Sequence, residues 1–363
     1  MKLIDRQIYT ELIGPFIFGV AAFTSIMFAG NYLLRLTTDV VKGLPIGIAM
    51  KIFVLYLPGV IVMTLPMATL LAVLLGFSRM SSENEITAIF AGGISFYRVI
   101  LPVAVFGVTV TGVTIYINES LVPRANLMTE RLRQKVLKQP ITSSKPLFLI
   151  DSKDGVTNVV VYVQGGYNAS EGILKKVLIT VFRDNKPRMV FRAESAKWEG
   201  GENWSLSNGD WNLLADGGGA QSGSFDKWHT RVVNIGMTPE EVAMSQRTVD
   251  QMTFKELRHF AKVMASRGAN TAELEVSLYN KLSLPMAALV FALIGAPLGL
   301  RRHRGGSSVG LGLSIVIIIL YWMAWHYMVA LAKTGHINPI AGAFTADLIG
   351  LILGAGLIIR ASK

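Results

Sequence analysis

The residues that could carry chemistry are few and scattered. The chain has 363 residues and no cysteine, which excludes disulfides and thiolate metal sites. Its five histidines show no metal-ligand spacing. His229 lies among acids but forms no recognisable triad. The glycine-rich ADGGGAQSGS at 215–224 lacks a following Lys-Ser/Thr, so it is a flexible hairpin and not a phosphate-binding loop. No such loop occurs elsewhere, so the chain has no ATP-binding route of that kind. No catalytic residue, metal or cofactor is expected. What remains is recognition chemistry in three places. GFSRMSSENEITAIFAGGISF (76–96) carries Arg79, Glu83 and Glu85. RRHRGG (301–306) carries Arg301, Arg302 and Arg304. Four polar residues, Asn31, Arg35, His326 and Asp347, lie within or beside apolar runs.

The elements that must position these groups follow from composition. Charged residues make up 16% of the chain and hydrophobic ones 51%, against about 25% charge in an ordinary soluble domain. Six runs are long enough to cross a bilayer: 12–34, 52–78, 99–118, 282–300, 305–332 and 337–359. Four of them contain no Asp, Glu, Lys, Arg or His; the fifth has only His326 and the sixth only Asp347. The start, MKLIDRQIYTELIGPF, does not fit a cleaved signal, so the first span is expected to stay. Residues 119–281 are different material. NVVVYVQGG, KKVLITVFRD, RMVFRAESAKWEGG and WHTRVVNIG are β-branched and aromatic stretches separated by turn residues. They predict about six to eight antiparallel strands, as a sandwich, jelly roll or open β-trough. MTFKELRHFAKVMASRG (252–268) predicts a helix with Phe254, Leu257, Phe260, Ala261 and Met264 on one face and Gly268 as its stop. The domain reading is 1–119 (three spans), 120–251 (β domain), 252–281 (amphipathic helix and connector) and 282–363 (three spans).

The net charge of +11 fits cations flanking membrane spans. It does not fit nucleic-acid binding, because no basic patch is interleaved with exposed aromatics. Lys2 with Arg6, Arg79 with Arg98, the 301–304 arginines, and Arg360 with Lys363 fall on one side of a six-span chain. The positive-inside rule makes that side cytoplasmic and puts the β domain outside. In the 76–96 stretch, Ser82-Glu83-Asn84-Glu85 reads as a capping box. Ile86, Ile89 and Phe90 share a face, and Gly92-Gly93 provides the stop. The predicted helix, about 82–91, spans roughly 13 Å at 1.5 Å per residue. So short a helix needs something to pack on. A partner protein and the headgroup layer of the membrane are equally compatible with the residues.

LPMATLLAVLLGFSRMSSENEITAIFAGGIS with INESLVPRAN resembles the first half of the LptF/LptG lipopolysaccharide-export permeases. YNKLSLPMAALVFALIGAPLGLRRHRGGSSVGLGLSIVIIILYW and GHINPIAGAF resemble the second half and the end. The resemblance implies a multi-pass subunit of the bacterial inner membrane with both termini cytoplasmic and a periplasmic β domain. It implies an LptB-like ABC ATPase dimer, a sister LptF/LptG-like subunit or second copy, a periplasmic bridge protein, and lipopolysaccharide or a related lipid. It makes 82–91 a coupling helix that docks on the ATPase through Glu83, Glu85, Ile86, Ile89 and Phe90, with Glu85 at the family's acidic position. It assigns lipid phosphates or acidic sugars to a basic position at Arg35, a position that Asn31 can occupy if the register shifts by a turn. Spans one and five become a lateral gate, and the strand interior an apolar path open at one edge.

Other features keep two readings. Arg301, Arg302 and Arg304 are a topology anchor or a contact for the ATPase or anionic lipid. Asp347 requires a partner, for which His326 and Asn31 are candidates; it serves proton relay or packing. Pro58, Pro66, Pro285 and Pro297 kink spans or free carbonyls. The rival to an ATP-driven lipid permease is a membrane-anchored scaffold or regulator of an envelope process coupled to an ATPase.

Overall fold

A computed structural model describes residues 3–137, 147–153, 156–168, 171–183, 186–214, 220–226, 231–300 and 307–361. It divides into two compact units, Met1–Glu130 with Ala272–Lys363, and Arg131–Thr271.

The first unit is helical. In order come α1 (Leu3–Asn31), α2 (Leu33–Val41), α3 (Ile46–Ser82), α4 (Glu85–Ala91) and α5 (Phe96–Tyr116). A π-helical turn, Ile117–Leu121, joins α5 to α6 (Val122–Leu137). After the β unit come α9 (Ala272–Gly299), α10 (Ser307–Lys333) and α11 (Pro339–Ala361). Six helical segments are long and apolar enough to cross a membrane. They are not equivalent. In their most apolar stretches, α3 is 83% and α9 67% buried, whereas α1 is 17% and α10 28% buried. Glycines let the central helices approach closely. A Cβ at Gly107 of α5 would sit 2.8 Å from Ala292 of α9, and one at Gly299 would sit 2.8 Å from Phe77 of α3. A Cβ at Gly350 of α11 would collide with Val290 of α9. Such small-residue contacts replace the hydrophobic drive that lipid does not supply.

The second unit is built on one antiparallel sheet: β1 (Leu147–Lys153), β2 (Val156–Val163), β3 (Tyr167–Asn168), β4 (Ile173–Arg183), β5 (Lys186–Gly200), β6 (Asn203–Leu214), β7 (Ala220–Phe225) and β8 (Arg231–Asn234). The hydrogen-bonded order is β1-β2-β4-β5-β6-β7, with β3 on β4 and β8 on β6. Consecutive strands pair, except that β2 passes β3 to pair with β4 and β8 returns to β6, and β1 and β7 stand at opposite ends of the order. Among the described residues the pairing path does not close on itself, which of the forms expected fits the open trough. One sheet face is apolar, as alternation requires. It carries Val161, Val163, Val177, Ile179, Phe191 and Leu206, all buried. Trp204 is fully buried among them, and its indole N–H donates to Met237 O at 2.9 Å. Two helices follow, α7 (Pro239–Ser245) and α8 (Phe254–Ser266), each opened by a complete capping box, at Thr238/Glu241 and Thr253/Glu256. Leu257, Phe260 and Ala261 of α8 are buried. Gly268, at φ 72°, ends that helix region. Arg267 ties α8 back to α7 through Glu241 Oε2 at 2.7 Å and also donates to Gly236 O.

Two expected boundaries move. Residues 122–137 are helix, because VPRANLMTERLRQKVL offers helix formers and no strand alternation. The expected start of the β domain at 120 therefore falls within a helix-to-helix junction. At the other end, α9 already begins at Ala272, so 272–281 belong to a membrane-capable helix and the connector after α8 is short.

Candidate functional site

The 76–96 stretch does not fold by the expected capping box. Ser82 stays in the last turn of α3, and its hydroxyl donates to Arg79 O at 2.8 Å. Glu83 and Asn84 alone separate α3 from α4. Asn84, the N-cap of α4, has φ 61° and makes no side-chain cap. A left-handed residue reverses the chain in one step, and asparagine tolerates that conformation better than most non-glycine residues. The helix is accordingly seven residues long. Its end is as expected. Gly93, at φ 78°, donates to Phe90 O and Ile94 to Ile89 O, the paired bonds of a Schellman stop.

Packing splits the predicted face. Ile86 is buried beside Ile8, Leu12, Phe77, Met80, Val99 and Ile100, so it anchors α4 to the bundle and is not available to a partner. Ile89 is half-buried against the same core. Phe90 is exposed, 6.2 Å from the ring of Phe96. The surface α4 presents is therefore Thr87, Ala88, Phe90 and Ala91, with half-exposed Glu85 at one end. Charges fix its surroundings. Glu85 Oε2 accepts from Gln7 Nε2 at 3.0 Å. Arg79 meets Glu83 at 3.0 Å and Glu11 at 3.7 Å. Arg98 meets Asp5 at 2.7 Å. The N-terminal turns of α1 are thus bonded to both flanks of α4. Sequence reasoning missed these ties, whose partners lie 68 to 93 residues apart apart from Arg79–Glu83.

The polar groups of the spans lie elsewhere. Asn31 and Arg35 are exposed, on α1 and α2 respectively, and Asn31 Nδ2 donates to Met27 O one turn back. Close to them is an aromatic cluster that sequence reasoning did not find: Phe28 is 4.3 Å from Phe53, and Tyr32 is 4.6 Å from Tyr56. Neither expected partner reaches Asp347. His326 Nδ1 lies 2.8 Å from Trp322 O of its own helix. Asp347, 2% exposed, takes the hydroxyl of Tyr321 at 2.7 Å. A tyrosine five residues before His326 was a legible donor, but its direction depended on how α10 meets α11. Arg301, Arg302, Arg304 and His229 lie outside the described residues.

Apolar surface is concentrated on the least buried spans. Ile13, Ile17, Phe18 and Ile26 of α1 are exposed, as are Ile315, Val316, Ile319, Leu320 and Met323 of α10. In a bilayer these are surfaces for acyl chains or another helix. Among the described residues no group of three or more His, Asp or Glu side chains is placed to hold a metal ion.

Six membrane-capable helices with an antiparallel β unit inserted between the third and the fourth define the class: a helical membrane permease. The chain belongs to the lipopolysaccharide export system permease LptF/LptG family, which matches residues 6–360. It is similar to LptG of Escherichia coli strain K12, with 23% identity over 310 residues, covering 82% of this chain and 81% of that protein. LptG of E. coli O6:H1 matches to the same extent.

Proposed function

We propose that this permease is the membrane subunit of an ATP-driven lipopolysaccharide exporter and that α4 receives the stroke of a cytoplasmic ABC ATPase. The observation that carries this reading is the split face of α4. Ile86 roots the helix in the bundle, while Glu85, Phe90 and their neighbours face outward with α1 bonded alongside. A push on such a helix cannot be absorbed by α4 alone. It passes into α1, the least buried span.

In this reading both termini and α4 are cytoplasmic and the β unit is periplasmic. Apolar surfaces of α1 and α10, with those of a sister subunit or second copy, enclose the acyl chains. Arg35, with Asn31 a turn away, meets the lipid's anionic groups by charge and hydrogen bonding. The apolar sheet face then shelters the chains from water on the way to a periplasmic bridge protein. Residues 301–304 add cytoplasmic positive charge.

The test is purification in mild detergent followed by mass spectrometry of what travels with the chain. Co-purifying ATPase, sister permease and lipopolysaccharide support the reading. Recovery with neither ATPase nor lipid overturns it in favour of an anchored scaffold.

A further inference from the structure

We propose that the polar face of the sheet, opposite the apolar one, carries a binding groove for an anionic oligosaccharide. Three strands interrupt their ladders at the same level, each carrying one unpaired residue there, with the register kept on either side. β4 pairs with β5 at Lys175–Ser195 and again at Val177–Ala193, leaving Lys176 and Glu194 out of the ladder. β5 pairs with β6 at Ala193–Gly209 and Ser195–Ser207, leaving Asn208 out. Lys176 and Asn208 have φ of 50° and 53°, two of three such non-glycine residues among those described. Strained backbone of this kind persists where the surroundings enforce it, commonly at binding sites.

The irregularity opens a cleft of about 470 Å³. On one side stands a register-matched row, Tyr162, Leu178, Arg192 and Asp210. On the other stand Gln164, Lys176, Glu194 and Asn208. Between them lie Val177, Ala193 and Gly209. The side chains of Val177 and Ala193 are buried on the apolar face, so they contribute main chain to the floor. The cleft crosses four strands, roughly 14 Å at about 4.8 Å per strand, the length of a short oligosaccharide.

The lining selects the ligand. Glu194 accepts from Asn208 Nδ2 at 3.2 Å, and Asp210 is beside Asn212 Nδ2 at 3.5 Å. The two acids are thus engaged by amides, whereas neither Lys176 nor Arg192 has an ion-pair partner among the described residues. Two uncommitted cations flanked by amides, carboxylates and one phenol suit a polyhydroxylated chain bearing phosphate or carboxylate groups. An acidic peptide is disfavoured. Peptides join sheets along an unpaired edge, and β2, β4 and β5 are paired on both sides here. The inference deepens the lipopolysaccharide reading and rests on it for the saccharide's source. It places acyl chains and sugar on opposite faces of one sheet.

The test uses the purified full-length permease in detergent and fully deacylated, phosphorylated lipopolysaccharide oligosaccharide as the probe, followed by calorimetric titration. Saturable binding is expected, weakened at least tenfold by Arg192→Gln with Lys176→Asn, and likewise by removing the probe's phosphates. Asn suits the left-handed backbone at 176, so the variant remains folded, as its circular dichroism would show. Absence of saturable binding at millimolar probe, equal binding by the double variant, or equal displacement by an acidic peptide would overturn the proposal. Photo-crosslinking of intact lipid from position 191 on the apolar face reports separately on the lipid reading.

Discussion

Gln7 and Glu85, 78 residues apart in sequence, meet at 3.0 Å and join the first turns of α1 to the start of α4. Glu85→Lys reverses the charge of α4 at its outward end and breaks this bond. Loss of ATPase co-purification and of lipid export is expected, with little change in thermal midpoint, because the pair is exposed. Glu85→Gln keeps a partner for Gln7 and removes only the charge. A charged hydrogen bond is worth about 1.5–3 kcal/mol, so recruitment should weaken about tenfold or more. If Glu85→Lys leaves both recruitment and export intact, α4 is not the docking helix.

The Tyr321–Asp347 bond makes a second, asymmetric prediction. Tyr321→Phe removes the hydroxyl that satisfies Asp347 Oδ1 and leaves both carboxyl oxygens without a partner, since Oδ2 already has none among the described residues. An unsatisfied buried polar group costs about 1–3 kcal/mol. Asp347→Asn retains an acceptor for the tyrosine and should cost less. Thermal unfolding in detergent should rank Tyr321→Phe below Asp347→Asn. The reverse order would show that the carboxylate itself, and not its hydrogen bond, holds the helices.

Gly209 is fixed by space. A Cβ there would collide with Arg192 O and would sit 2.7 Å from Phe225 and 2.9 Å from Ala193 Cα. Because β5 backbone stands in the way, no side-chain rotation relieves the clash. Gly209→Ala should destabilise the β unit by at least the 1–3 kcal/mol of an overpacked core, read as early protease cleavage within 131–271. Gly112→Ala in α5, where nothing lies within 4 Å, should leave cleavage within 131–271 unchanged.

Glu256 links α8 to pH. Its carboxylate accepts from the Thr253 main chain at 2.8 Å and hydroxyl at 2.9 Å and meets Arg247 at 3.2 Å. These bonds, the main-chain one first, hold its pKa below the usual glutamate value. A lowered folded-state pKa contributes stability that is fully present above the unfolded value. That contribution is lost as pH falls past about 4.5 and through the lowered value. Glu256→Gln should flatten that part of the stability profile. Thr253→Ala should cost about 1 kcal/mol at neutral pH. Differential scanning fluorimetry from pH 3 to 7 checks both.

The spans were legible because a run of about 20 uncharged residues has few other uses. The strands were legible because runs such as NVVVYVQGG are β-branched and aromatic and are bounded by turn residues. What escaped depends on contacts distant in sequence. Helical periodicity puts Ile86, Ile89 and Phe90 on one face, but only the arrival of α1 and α5 decides that Ile86 is covered and Phe90 is not. Ser82 and Glu85 have the spacing of a capping box, yet α3 had enough helical drive to run through Ser82 and pass the reversal to Asn84. The groove was hidden for the same reason. Nothing local to Lys176, Glu194 or Asn208 says that their irregularities align, and alignment is a property of the pairing.

The glycine contacts of α5, α9 and α11 bear on how this chain can vary. Where a methyl group has no room, drift is confined to residues no larger than glycine, and compensation would need a matching loss on the facing helix. α1 and α10 face outward and carry no such restriction over most of their length. Related chains should therefore diverge quickly along the flanks and slowly along the spine, so that a new lipid could be accommodated by resurfacing two helices while the frame that moves them is inherited unchanged.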